Sequence, residues 1–310
     1  MERARFGDVM AAILWISWLL LRADGRAVPH HRQRGEGVRR LHNVTLDSNF
    51  TAGSGSAGEL LLDGCHVDHF EASLFELLGH TGSLTLHGGL IPRVTYASPS
   101  LDTLVVDATG LEEFDVDPAT ITLTSLRTLQ ISRNSLAMIS PRIGLLVGLR
   151  RLDLSQNRLT HVELDPFARM PQLRDLDLSV NRILWVGVGT PGTRLPSVHN
   201  LWVSYNRLQT FEDFPGAFPA LVSVRLIGNS WNCGWVDRAR SDIMRHGITA
   251  FGADYDCPGE RQGGLCCYVT EVGDVTGAQS SPEPVGELQA TTNRTGESVG
   301  VRYGDVEIFL

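Results

Sequence analysis

The sequence predicts an α/β solenoid, a horseshoe with a parallel β-sheet on its concave face and a disulfide-bonded C-terminal cap. Two observations predict this fold: an apolar pattern that repeats through the middle of the chain, and a cluster of cysteines directly after its last copy. The chain has 310 residues, of which 42% are hydrophobic and 20% charged. This composition is sufficient for a sizeable buried core.

The repeated pattern is L-x-x-L-x-L-x-x-N-x-L, the leucine-rich-repeat signature. Five good copies occur, with starts 23 to 25 residues apart, at Leu126, Leu149, Leu173, Val198 and Leu221. Weaker copies extend the pattern towards the N-terminus, so we expect about eight repeats over residues 57–231. One repeat cannot bury its own apolar side, whereas stacked repeats share a continuous core. Leucines at positions four and six should therefore point inward, and the residues between them should point to the concave face.

Position nine carries an asparagine in each good copy. Its amide can satisfy backbone groups of the turn that leaves the strand, so we interpret the row as structural. The earlier copies carry Cys65, Gly89 and Thr109 at this position, and there we expect a weaker row with Cys65 as a small buried substitute. The predicted structural ladder consists of Asn134, Asn157, Asn181, Asn206 and Asn229.

The two ends of the chain indicate export. Residues 1–27 combine early arginines, an apolar run and small residues, which predicts a cleaved signal peptide. Glycosylation sequons begin at Asn43, Asn49 and Asn293. We interpret residues 28–56 as an N-terminal cap or arm and residues 271–310, which are rich in Gly and Pro, as a flexible tail. The expected location is extracellular.

Composition excludes several classes of function. The formal net charge is −8, which argues against nucleic-acid binding, and all 27 basic residues are arginine, which excludes Schiff-base chemistry and a phosphate-loop lysine. The histidines of the first repeats match no metal-ligand spacing. No cofactor and no metal are expected. These histidines are His66, His69, His80 and His87.

Four cysteines follow the last repeat and predict a disulfide-locked cap over residues 232–270. If Cys65 is a buried thiol, the four can pair in three ways, and one of these includes a vicinal bridge. A bridge such as Cys233 to Cys257 would close a loop of about 25 residues and stabilise by roughly 3 kcal/mol. Alternatively, one cap cysteine pairs with another chain and gives a disulfide-linked dimer. The four cap cysteines are Cys233, Cys257, Cys266 and Cys267.

The cap resembles the cysteine-rich C-terminal caps of secreted leucine-rich-repeat proteins. Such caps usually open with two cysteines one residue apart, but Trp235 takes the second place here. This departure and the adjacent Cys266 and Cys267 resemble most the leucine-rich immune proteins of mosquitoes, over roughly residues 1 to 270. The resemblance implies a haemolymph protein of innate immunity with a complement-like thioester protein as partner. Residues 271–310 contain no apolar heptad, so this chain would be a short, coil-less member.

A partner should bind the concave face, at positions three, five, seven and eight of the repeats. Trp202 and Tyr205 are large aromatics where the pattern predicts exposure, beside arginine, which is typical of interaction hot spots. The alternative is that Trp202 lies over neighbouring strand residues and Tyr205 packs into the turn. The predicted patch consists of Arg151, Asp153, Asp175, Asp177, Asn200, Trp202, Tyr205 and Arg225.

Asp153 and Asp177 occupy the same position in adjacent repeats, so their side chains should lie about 5 Å apart. An open sheet offers no enclosed pocket to raise the pKa of either, and Arg151 nearby should keep both ionised. We therefore expect recognition rather than catalysis: a pathogen surface glycan or an extracellular protein bound in insect innate immunity. The rivals are a matrix or adhesion protein using the same face, and a hydrolase built on Asp153, Asp175 and Asp177.

Overall fold

A computed structural model of the chain describes residues 38–43, 58–78, 81–119 and 125–269. The predicted signal peptide, the tail, His80 and the sequons at Asn49 and Asn293 lie outside these ranges. Asn43 lies within them and is exposed. Within the described ranges, every helix is too short or too polar to traverse a bilayer.

A ten-stranded parallel sheet organises the described chain, which confirms the predicted solenoid. Position four is in register across it, so that Leu152 lies between Leu129 and Leu176. Strands are numbered in chain order. Those of the main sheet are β1 (Val38–His42), β2 (Glu59–Asp63), β3 (Ser83–His87), β5 (Thr103–Asp107), β7 (Thr128–Ser132), β8 (Arg151–Asp153), β10 (Asp175–Asp177), β12 (Asn200–Trp202), β13 (Ser223–Arg225) and β15 (Thr249–Ala250).

Short elements cover the other side of each repeat. Two small parallel sheets form there, β4 (Arg93–Tyr96) with β6 (Glu113–Val116), and β9 (His161–Glu163) with β11 (Trp185–Gly187). The predicted helical turn after Asp165 is present, with Pro166 in its first turn. The helical segments on this side are α1 (Ala72–Leu77), a 3₁₀-helix (Pro141–Leu145) and α2 (Asp165–Ala168).

The first strand lies inside the region predicted as an arm. Strand β1 pairs in parallel with β2, and Leu41 stands opposite Leu62 at position six. Strand β1 ends at His42. The arm thus contributes a full strand to the sheet.

The core lies between the main sheet and the elements opposite. Leucines at positions four and six are almost completely buried in every good repeat, among them Leu152, Leu176 and Leu201. Aromatic side chains fill the space behind the first repeats, where the rings of Phe75 and Tyr96 meet edge to face with centroids 5.4 Å apart. Burial at this level stabilises by roughly 1.5–3 kcal/mol for each large apolar side chain.

The position-nine asparagines turn inward and bridge successive repeats. The Oδ1 of Asn206 accepts the backbone N–H of Ile183 at 3.0 Å, and its Nδ2 donates to the carbonyls of Leu178 and Val203 at 3.0 and 3.1 Å. One amide thus satisfies backbone groups of its own turn and of the preceding repeat. The same pattern recurs at Asn134, Asn157, Asn181 and Asn229.

Position eight has a left-handed backbone in every turn that follows a main-sheet strand from β1 to β13. The φ angles lie between 51° and 70°. This conformation lets the chain leave the strand and brings the next residue, at position nine, into the core. The residues are Asn43, Gly64, Gly88, Ala108, Arg133, Gln156, Val180, Tyr205 and Gly228.

The C-terminal cap closes the end of the core with helix α3 (Cys233–His246), strand β14 (Trp231–Asn232) and the hairpin of β16 (Glu260–Gln262) and β17 (Leu265–Tyr268). Strand β14 pairs with β17, and β15 pairs with β13 at the end of the main sheet. Trp235 stacks on Trp231 with ring centroids 4.1 Å apart, and both indoles donate to backbone carbonyls. Trp235 therefore fills the place of the usual second cysteine with buried aromatic packing.

The disulfides connect Cys233 to Cys267 and Cys257 to Cys266. A bridge from Cys233 to Cys257 and the vicinal bridge are therefore wrong. The reason is that successive side chains of β17 point to opposite faces of its sheet, so Cys266 meets Cys257 on one face and Cys267 meets Cys233 on the other. All four cap cysteines are used within the chain and Cys65 is buried with its thiol intact, so the expectation of an intermolecular bridge through the cap is also wrong.

We predict that Asn206→Ala lowers the free energy of unfolding by about 2 to 3 kcal/mol, because buried backbone groups lose their partner. Urea unfolding followed by circular dichroism measures the change. Arg158→Ala, which removes an exposed side chain from a neighbouring turn, is the control and should change stability by less than about 0.5 kcal/mol. An equal loss in both variants would contradict the structural role of the amide.

We predict that replacing Cys233 and Cys267 by serine lowers stability by about 4 kcal/mol, since this bridge spans 34 residues. The matched control replaces Cys257 and Cys266, whose bridge spans 9 residues and should contribute about 3 kcal/mol. Peptide mapping without reductant verifies the pairing, and denaturant unfolding gives the stabilities. A larger loss for the short bridge would contradict this order.

Candidate functional site

The concave face is the face of the main sheet that carries positions three, five, seven and eight. At position three, a hydrogen-bond chain crosses four strands. Arg151 Nε donates to Asp175 at 3.2 Å, Asn200 Nδ2 donates to the other oxygen of Asp175 at 2.6 Å, and Ser223 donates to Asn200 at 2.5 Å. The polar groups of this row satisfy one another, so Asp175 is a poor candidate for a free catalytic carboxylate.

Asp153 and Asp177 stand side by side at position five, in register on β8 and β10. Adjacent strands lie about 4.8 Å apart, which sets the spacing of the pair. One oxygen of each carboxyl group accepts a backbone N–H two residues on, from Ser155 at 2.9 Å and from Ser179 at 2.8 Å. The Ser179 hydroxyl also donates to Asp177, at 2.6 Å.

The ionisation of this pair differs from the expectation. Burial raises the pKa of Asp177 to about 7, and the neighbouring charge of Asp153 adds to the rise. Burial also raises the pKa of Asp153. The expectation that both stay ionised is wrong for Asp177, because burial and the charge of Asp153 outweigh the opposing effect of Arg225, while Arg151 donates to Asp175.

Trp202 continues the position-five row, between Asp177 on β10 and Arg225 on β13. Both Trp202 and Tyr205 are half-buried. A Cβ atom at Gly228 would lie 2.4 Å from the Tyr205 ring, so the ring packs on the glycine of the next turn. The structure therefore agrees with the alternative in which Tyr205 packs into the turn. The Nε of Arg225 is buried and lacks an acceptor among the described residues.

Val180 also lies on this surface, although it was not among the residues predicted from the sequence. It occupies position eight next to Tyr205, is 43% exposed, and has a φ of 55°. A left-handed backbone costs about 1 kcal/mol or more for a β-branched residue. Position eight alone could have identified it, because a valine there is exposed whatever its hydrophobicity.

A second set of charged groups lies on the same face near the N-terminus. At position seven, His42 contacts Asp63 and His87 contacts Asp107, each at 3.0 Å. Arg133 also pairs with Asp107. These pairs are mutually satisfied. His66 and His69 lie elsewhere, bonded to the Gly64 carbonyl and the Thr95 hydroxyl, so the structure does not bring the early histidines together.

The patch is open rather than enclosed. An open depression of about 440 Å³ lies between Val188, Arg194, Asp213 and His246, and a smaller one of about 300 Å³ borders Trp231 and Tyr268. Neither includes a residue of the predicted patch. Across the described ranges, His, Cys, Asp and Glu side chains nowhere gather in threes as a metal site requires. The geometry suits a broad contact with a macromolecule.

Comparison with known proteins agrees with the repeat architecture. The leucine-rich-repeat family matches residues 124–183. Human podocan-like protein 1 is 31% identical over 172 residues, which cover 52% of this chain and 33% of that protein. The chain thus spans about a third of the length of this curated relative.

Several solved structures are similar in fold. The crystal structure of the APL1 leucine-rich repeat domain has a TM-score of 0.48 at 20% identity and covers 69% of this chain and 66% of its own. The corresponding domain of APL1B has a TM-score of 0.49 at 19% identity, covering 75% and 72%. Human 5T4 has a TM-score of 0.49 at 20% identity, covering 69% and 82%.

We predict that Asp177→Asn stabilises the protein at alkaline pH. The folded-state pKa is raised to about 7, so the folded protein retains a proton that the unfolded chain, with a pKa of about 3.9, has released. The associated stability is complete below about pH 4 and is lost as the pH rises to 7. Asparagine does not ionise, so the variant should exceed the wild type by about 1 to 2 kcal/mol at pH 8 and show no gain at pH 4.

Urea unfolding at pH 4, 6 and 8 measures this difference. Asp175→Asn is the matched control, since it removes the acceptor of Arg151 and Asn200 and should destabilise the protein at pH 8. A gain for Asp177→Asn that is equal at all three pH values would contradict the role of ionisation.

Proposed function

We propose that this leucine-rich-repeat protein is an extracellular recognition protein that binds a protein or a pathogen-surface glycan through its concave face. The observation that carries the proposal is the surface formed by Asp153, Asp177, Trp202 and Val180, where a half-buried indole and an exposed valine adjoin two carboxyl groups that stand side by side in register. Tryptophan is the residue of this surface that is enriched in interaction hot spots. The cap disulfides support an oxidising, extracellular location.

We further propose a role in insect innate immunity, with a complement-like thioester protein in haemolymph among the candidate partners. The support is the arrangement of the cap, in which Trp235 replaces a cysteine and two adjacent cysteines close both bridges. Induction of the protein by infection and its presence in body fluid would support this role.

A matrix or adhesion role is the second candidate, and it would use the same face. The observation that favours it is that the curated relative, podocan-like protein 1, is human and not an insect protein. Tight association of the protein with tissue, in place of recovery from body fluid, would support this candidate against the immune role.

Catalysis by the aspartates has less support. The raised pKa of Asp177 suits a general acid, and Asp153 lies at a distance found in glycoside hydrolases. However, the pair lies on an open face, and the hydrogen-bonded Asp175 is not available as a third carboxylate. Hydrolysis that Asp153→Asn abolishes would favour the enzyme over the recognition protein.

We predict that Trp202→Ala weakens partner binding by about 2 kcal/mol, roughly 30-fold, with little effect on the fold. The partner is first captured from body fluid by crosslinking and mass spectrometry, and affinities are then measured by biolayer interferometry. Trp185→Ala is the matched control, because Trp185 on β11 is 39% exposed on the other side of the repeats. Equal affinities of both variants would reject the concave face as the binding surface.

A further inference from the structure

The position-five row places two carboxyl groups side by side on adjacent strands. At position three, Arg151 and Asn200 satisfy Asp175, and at position seven serines line the strands from β7 to β12. The backbone N–H groups of Ser155 and Ser179 and the Ser179 hydroxyl donate to Asp153 and Asp177. The face therefore presents two adjacent carboxyl groups, which lie within reach of the charges of Arg151 and Arg225.

The surroundings of the pair favour one kind of ligand group. Trp202 lies next in the row and offers an aromatic surface beside the carboxyls, and Val180 extends the apolar surface at the edge. A guanidinium group bonds to carboxylates in a forked geometry and stacks on aromatic rings. Arg225, whose buried Nε lacks an acceptor among the described residues, lies beyond Trp202 in the same row.

We propose that the concave face binds an extended, basic segment of a partner protein, with an arginine side chain placed between Asp153 and Asp177 and against Trp202. This inference rests on the proposed function and adds the chemical class of its partner. The charge complementarity of the carboxyl pair carries it. A neutral or acidic surface glycan would leave this pair without a counter-charge.

The affinity for such a basic segment should depend on pH. The charged groups that face Asp177 are Asp153 on β8 and Arg225 on β13, while Asp107 and Arg151 act on Asp153. A bound cation favours the ionised form of Asp177, so binding should release a proton where this carboxyl is still partly protonated. Affinity should therefore rise from pH 6 to pH 8.

The test uses the full chain and a nonapeptide in which arginine alternates with serine, acetylated and amidated at its ends. The control peptide carries neutral citrulline in place of arginine. Isothermal titration at near-physiological salt measures affinity, and buffers of different ionisation enthalpy report the proton released. We expect the arginine peptide to bind at least tenfold more tightly than the citrulline peptide, and threefold or more tightly at pH 8 than at pH 6.

Asp153→Asn and Asp177→Asn should each weaken binding of the arginine peptide at least tenfold, and Asp177→Asn should remove most of the pH dependence. Asp63→Asn is the matched control, since it removes one charge from the same face at β2 and should change affinity less than twofold. Equal binding of the two peptides, or equal effects of Asp63→Asn and Asp153→Asn, would overturn the inference in favour of general charge attraction.

The captured partner separates this inference from the proposed function. If Trp202→Ala weakens binding of the partner and the two aspartate variants do not, the concave face is the binding surface and the basic-segment inference is wrong. If none of the three variants weakens the partner, both are wrong.

Discussion

The inward asparagine amide at position nine is the interaction on which the rest of the architecture depends. A solenoid of short strands must leave each strand through a tight turn, and the backbone groups of that turn are buried between repeats. One amide bonds to groups of two successive turns, as Asn206 does with Ile183 and Leu178. Without it, the turns would require water in the core or longer loops. The side chains of the concave face keep their spacing because these turns are fixed.

The early repeats show what happens where the asparagine is absent. Gly89 occupies position nine in the second of these repeats. A Cβ atom at Gly89 would lie 2.0 Å from the Cys65 carbonyl oxygen, so the backbones of the two successive turns are in direct contact there. At Thr109, the side-chain hydroxyl donates a hydrogen bond to the Oδ1 of Asn134 in the next repeat. The main-sheet strands β2, β3, β5 and β7 each span five residues, against three in β8, β10, β12 and β13, so the repeats without the asparagine have the longer strand pairing.

Much of the fold could be predicted because a repeat imposes the same constraint many times. Leu152 and Asn157 have equivalents in several other turns, and this redundancy fixes strands, faces and the ladder. Structural features that occur only once in the repeat array or the cap lack this redundancy. The pairing of Cys233 with Cys267 depends on the register of a hairpin, and β1 carries Arg39 where the pattern has leucine. Arg151 donates to Asp175, and this pairing depends on side-chain rotamers, which strand spacing alone does not determine.

The left-handed turn at position eight separates what selection must preserve from what it can change. Glycine, alanine, arginine, glutamine, valine and tyrosine all occur in the turns between Gly64 and Gly228, although the backbone angle barely varies. Each of these residues lies at the same border of the sheet, next to the inward position nine, which carries asparagine in the five good repeats. New specificities can therefore evolve along this border by exchange of single residues, while the interior of the molecule stays as it is.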